Sequence, residues 1–147
     1  MKMNEADELD EKIIKMLKEN SRKPFTEIAE TLGISEATVR KRVRKMERNE
    51  IIKGYSLEID PSALGYDTVV LLGLDVEPES LVEAAKEISE IEEAKRVTTC
   101  TGDHMIMTEI WAKDNSHLSK IMSEKIGKIE GVKNLCPAIV MEELKKK

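Results

Sequence analysis

At 147 residues, with 40% hydrophobic and 36% charged side chains, the chain can form one ordinary domain or two small ones, and a change of pattern near residue 61 favours two. No run approaches the roughly 18 uncharged apolar residues of a membrane span, and the acidic opening lacks the basic start and apolar core of a secretory signal, so a cytoplasmic location is expected. The net charge of −5 excludes an evenly basic nucleic-acid binder, yet residues 36–53 carry seven basic against three acidic side chains, so one patch is cationic while the rest repels polyanions.

Asp7 is placed to cap a first helix, with Asp10 three residues on, and Leu9, Ile13, Ile14, Met16 and Leu17 recur at near-helical spacing until about Asn20. Pro24 breaks the chain before a short second helix with Ile28, Ala29 and Leu32 on its inner side. Gly33 falls where a left-handed turn is needed, Ile34 plugs it from below, and Ser35 can cap a third helix with Glu36 in its first turn. On a wheel of about 100° per residue, Val39, Val43 and Met46 form one inward stripe. Ala37, Arg40, Lys41, Arg44 and Arg48 project from the opposite face, with Thr38 and Lys45 on its flank. Such a stripe alone is usually a solvated surface. A short helix, a glycine turn and a capped second helix with small residues at its start are, however, what major-groove entry by a helix-turn-helix requires.

After Asn49 the run from Ile51 to Asp60 alternates imperfectly around Gly54 and reads as a strand and linker, with Pro61 to Tyr66 as the boundary. A strongly β-prone run from Asp67 ends at Pro78, and Ser80 to Ile91 repeats apolar residues at helical spacing. Ala94–Thr101 and His104–Trp111 then read as strands of a hairpin turning at Gly102-Asp103. Asn115 or Ser116 is expected to cap a helix carrying Leu118, Ile121, Met122, Ile126 and Ile129, ended by Gly131. Val132 to Leu144 is a strand interrupted near Pro137, followed by a solvated Lys145-Lys146-Lys147 tail. The fold class is α+β: a winged-helix-like helix-turn-helix of three helices over residues 1–50, a linker strand over 51–66, and a ferredoxin-like βαββαβ domain over 67–147. With both helices on one sheet face, Val70, Leu72, Leu74, Val97, Ile106 and Ile110 are too apolar for the other face to stay wet, which points to self-association.

The chain resembles the Lrp/AsnC, or feast/famine, regulators across nearly its whole length. The similarity is carried by ADELDEKII at the start, FTEIAETLGISEATVRKRVRKME in the helix-turn-helix, and IIKGYSLEIDPSALGY in the linker. It implies a homodimer, commonly a tetramer or octamer, that binds double-stranded promoter DNA, as activator or repressor, and responds to an amino acid or other small effector. It places groove contacts on Glu36, Ala37, Thr38, Arg40, Lys41 and Arg44, with Lys45 and Arg48 beyond them. It also places an effector site near Thr101, Gly102, Asp103, His104 and Met105, where methionine stands in the position the family usually gives to aspartate.

Within the cationic stripe, Arg40 suits a bidentate contact to guanine and Thr38 or Ala37 a thymine methyl, while Arg44, Lys45 and Arg48 suit phosphates. Cys100 and His104 are close enough to suggest a nucleophile and base, but no third group and no glycine-rich phosphate loop accompany them, so neither catalysis, metal nor cofactor is expected. The two cysteines lack metal spacing and fall on strands expected at opposite sheet edges, which disfavours a disulfide within the chain. One tryptophan and 3% aromatic residues provide no stacking surface for single strands. The competing readings are an architectural protein that coats DNA with little sequence preference, and an enzyme like the siroheme decarboxylases, which are similar to this family.

Overall fold

The computed structural model describes residues 6–146. Lys147, the last lysine of the expected tail, lies outside them. The chain divides into two compact units, one built from residues up to Glu58 with the last residues of the chain, the other from Ile59–Leu144.

The first unit is three helices: α1 Glu8–Glu19, α2 Phe25–Leu32 and α3 Glu36–Arg48. Asp7 and Asp10 close a reciprocal capping box at the start of α1, satisfying two backbone N–H groups that would otherwise lack partners. Ile13, Leu17, Ile28, Ala29, Val39, Val43 and Met46 meet in one buried cluster, with Ile34, Ile51 and Ile52 packed against it. The expected strand from Ile51 does not form: residues 53–60 are irregular, and Tyr55, Leu57 and Ile59 are exposed. Alternation alone does not make a strand. Its backbone groups need a neighbouring strand to bond to, and this unit has none among the described residues.

The second unit opens with a short 3₁₀ turn, Pro61–Leu64. Its strands are β1 Thr68–Val76, β2 Ala94–Thr99, β3 Ile106–Ala112 and β4 Val132–Ile139, and its helices α4 Leu81–Ser89 and α5 Asn115–Lys120. The sheet is antiparallel in the order β2-β3-β1-β4, which with helices after β1 and β3 is the expected ferredoxin-like arrangement. Asp114, rather than Asn115 or Ser116, caps α5 by accepting the His117 N–H at 2.7 Å, because the helical backbone already begins at Asn115 and the capping position is the extended residue before it. The helix continues as a π-type turn, Ile121–Ile126, and ends at Gly127, while Gly131, at φ 86°, makes the turn into β4 instead.

The faces of the sheet are the reverse of expectation. Val70, Leu72, Leu74, Ile106 and Ile110 all point beneath the helices, against Ala84, Ile88, Leu118, Ile121 and Ile126, and Val97 packs at the margin of that core. The register puts Val69, Leu71, Gly73, Met107, Trp111 and Ala138 on the other face, beside Asp75, Arg96 and Glu109. The uniformly apolar set goes where both sides are dry. The mixed set is left uncovered, with Leu71 46% exposed at its centre.

A candidate nucleic-acid interface on the third helix

The approach to α3 is set by one residue. Gly33 adopts φ 67°, ψ 34° at the end of α2 and donates its N–H to Glu30, reversing the chain in a conformation that L side chains adopt only under strain. Ile34 then tucks under the turn, and Ser35 Oγ accepts the Thr38 N–H at 3.1 Å to start α3. Val39, Val43 and Met46 are at most 1% exposed, so the helix cannot roll without opening its core.

The opposite face is as charged as the sequence implies. Ala37, Arg40, Lys41, Arg44, Lys45 and Arg48 are exposed, and Glu36 and Thr38 half-buried. The structure thus brings all eight residues of the expected interface onto one helix within four turns. Three are already engaged. The Thr38 hydroxyl lies 2.8 Å from Ser35 Oγ as part of the cap, and the Arg40 guanidinium is paired with Glu36 one turn earlier and lies with its Cζ 6.0 Å from the centre of the Phe25 ring.

Arg42 is the residue that sequence reasoning missed. Its Nη1 donates to Asp7 at 2.6 and 2.8 Å and to Asp10 at 3.2 Å, joining α3 to the start of α1. The hydrogen bond from Arg42 holds the Asp7 carboxyl below its usual range, with the Asp10 N–H adding to the effect; the same two carboxylates raise Arg42 further. A signal was available, since Arg42 falls only about 60° from Val39 on the helical wheel, too near the inward stripe for an unpaired cation.

The five residues of the expected effector site lie on the connection between β2 and β3, which spans residues 100–105 instead of turning tightly at Gly102-Asp103. The Met105 carbonyl accepts the Cys100 N–H at 2.9 Å and closes this wider loop, while the Met105 N–H bonds to Leu74 O on β1. Thr101, Gly102 and Asp103 face outward. Met105 packs on the core, and the His104 ring lies over Gly73 with Nδ1 3.4 Å from Asp75, so the five do not converge. The Cys100 thiol donates to the His104 backbone carbonyl at 3.1 Å, so the thiol and imidazole are not arranged as nucleophile and base. Both cysteines are free; Cys100 follows the end of β2 and Cys136 lies on β4, the two opposite edges of the sheet. No described helix is long and apolar enough to cross a membrane.

Residues 7–47 match the profile of the AsnC-type helix-turn-helix domain, and residues 69–147 that of the Lrp/AsnC ligand binding domain. The chain is 50% identical over 140 residues to the HTH-type transcriptional regulator LrpA of Pyrococcus abyssi, covering 95% of this chain and 99% of the relative. It is 34% identical over 139 residues to the regulator Ptr1 of Methanocaldococcus jannaschii, covering 95% and 94%. Among solved structures it superposes on AsnC of Escherichia coli with a TM-score of 0.86 at 25% identity, covering 97% of each chain. A transcriptional regulator of Neisseria meningitidis solved as its L-Met complex shares the fold at a TM-score of 0.88 and 19% identity, covering 97% and 94%.

Proposed function

The chain belongs to the Lrp/AsnC family of helix-turn-helix transcriptional regulators, and we propose that it acts by inserting the outer face of α3 into the major groove of promoter DNA. The observation that carries this is charge density. Arg40, Lys41, Arg44, Lys45 and Arg48 crowd one exposed face of a helix buried on its other side, in a chain of net charge −5. Glu36, Ala37, Thr38 and Arg40, at the start of the helix, meet base edges; Lys41, Arg44, Lys45 and Arg48 meet the backbone.

Residues 1–50 are the DNA-binding domain, 51–66 the linker and 67–147 the domain of assembly and effector response, in a regulator working in the cytoplasm. The uncovered sheet face, with Leu71, Met107 and Trp111 along it, supports pairing with a second copy. A two-fold dimer duplicates α3 and matches a pseudo-palindrome with half-sites about 34 Å apart. An amino acid or similar small effector acts at the β2–β3 connection, through Thr101, Gly102 and Asp103 at its surface, with His104 and Met105 holding the loop from within.

Selection of bound duplexes from a random pool, repeated with each amino acid, tests both parts. Enrichment of a symmetric site is expected, with altered affinity in the presence of an effector. If no sequence is enriched, the DNA reading fails. If no amino acid changes binding, amino-acid sensing fails alone.

A further inference from the structure

Arg40 differs from the other cations of its face. Its guanidinium is held by Glu36 across one helical turn and by the Phe25 ring on α2, whereas Lys41, Arg44, Lys45 and Arg48 have no acidic partner among the described residues. A cation intended for phosphate gains nothing from this, because that attraction follows the net charge brought to the backbone, and Glu36 subtracts from it. Glu36 does favour the positive end of the helix and a stabilising pair at i,i+4, but both contributions are small and equally open to an acid away from the groove face. Its side chain is instead 42% exposed, beside an Arg40 side chain 46% exposed, on the face offered to DNA.

Resting on the DNA-binding reading above, we propose that Glu36 is a specificity-determining residue that turns Arg40 from a phosphate cation into a base reader, the pair recognising a guanine and an adjacent cytosine. Arginine's fork of donors matches guanine O6 and N7, and a carboxylate accepts from the cytosine N4 amino group. The ion pair uses one guanidinium nitrogen and one carboxylate oxygen, leaving donors and acceptors for the bases. Wrong bases are opposed as well as unrewarded. Adenine sets its N6 donor against the Arg40 donors, and thymine sets its O4 acceptor against the Glu36 carboxylate. Phe25 restrains the guanidinium from swinging back to the phosphates.

The test compares the full-length chain with Glu36→Gln, Glu36→Asp, Arg40→Ala and the Glu36→Gln/Arg40→Ala double variant, by selection from a random duplex pool, by affinity for an unrelated duplex and by thermal melting. Glu36→Gln should lose about tenfold discrimination at the cytosine position while binding the unrelated duplex more tightly, since a repelling charge is gone. Glu36→Asp keeps the charge and the helix-end role but falls short of Arg40, and should lose the same preference. Arg40→Ala should lose the guanine, and the double variant little more than the larger single effect. If Glu36→Gln and Glu36→Asp keep every base preference, or lose affinity equally for all sequences, the proposal is overturned while the DNA reading stands. If the wild-type chain enriches no sequence, both fall.

Discussion

Arg42 of α3 and Asp7, the cap of α1, are joined at 2.6 Å, a charged contact that ties the third helix to the start of the first. Arg42 thereby leaves the outward cationic stripe and fixes its mounting. The folded-state Asp7 carboxyl titrates below its unfolded value, so the contact stabilises the fold fully above about pH 4 and is lost as pH falls through the lowered value. Arg42→Ala should therefore melt below wild type at neutral pH, and the difference should shrink as pH falls below about 4. Melting curves across that range check it; a gap that does not change with pH would mean that charge is not its source.

Arg44 and Arg48 are exposed and have no ion-pair partner among the described residues. Replacing either with Ala should leave the melting temperature unchanged, weaken binding to all duplexes alike, and reduce the slope of log affinity against log salt by about 0.9. Fluorescence anisotropy at a series of salt concentrations measures this.

Gly73 lies under the His104 ring so closely that a Cβ there would clash with Cδ2 and Cγ of the imidazole. Gly73→Ala should displace the imidazole and cost about 1–3 kcal/mol, as overpacking does elsewhere. Removing the ring with His104→Ala in the same chain should recover most of that loss. Denaturant unfolding of the two single variants and the double variant reads the coupling directly.

Leu71 and Leu72 are neighbours with opposite duties. Leu72 is fully buried beneath the helices, and Leu72→Ala should cost roughly 2–5 kcal/mol in denaturant unfolding. Leu71 stands on the uncovered face, and Leu71→Asp should leave the unfolding of the isolated subunit little changed while preventing self-association. Light scattering coupled to gel filtration follows the second effect; a variant with wild-type mass would remove this face from the assembly.

The boundaries of the first three helices were legible because their determinants are local: Asp7, Gly33 and Ser35 act on backbone groups within a few residues. The stripe of Val39, Val43 and Met46 was equally plain, and it fixed which way Arg40 and Arg44 must face. What could not be read required knowledge of a distant partner. Alternation in Ile51 to Asp60 gave no sign that a neighbouring strand was lacking, and period-two patterning in β1 gave two faces without saying which of them the helices would choose. Arg42's place beside the inward stripe was readable from the wheel, but its partners Asp7 and Asp10 were not. The Glu36–Arg40 pair was visible as spacing, but Phe25 joins it only through the packing of α2 on α3.

Pro137 lies within β4, opposite Leu72, on an outer strand of the sheet. Proline has no N–H, so it deprives that strand of one of the regularly spaced donors a newcomer would need in order to add alongside. Accretion at this border is thus checked by a single residue, which favours the broad surface over this rim for any association of copies. The difference matters at high concentration. Pairing along a border can run on into a fibre, whereas two surfaces pressed together consume each other and stop, leaving particles of definite size.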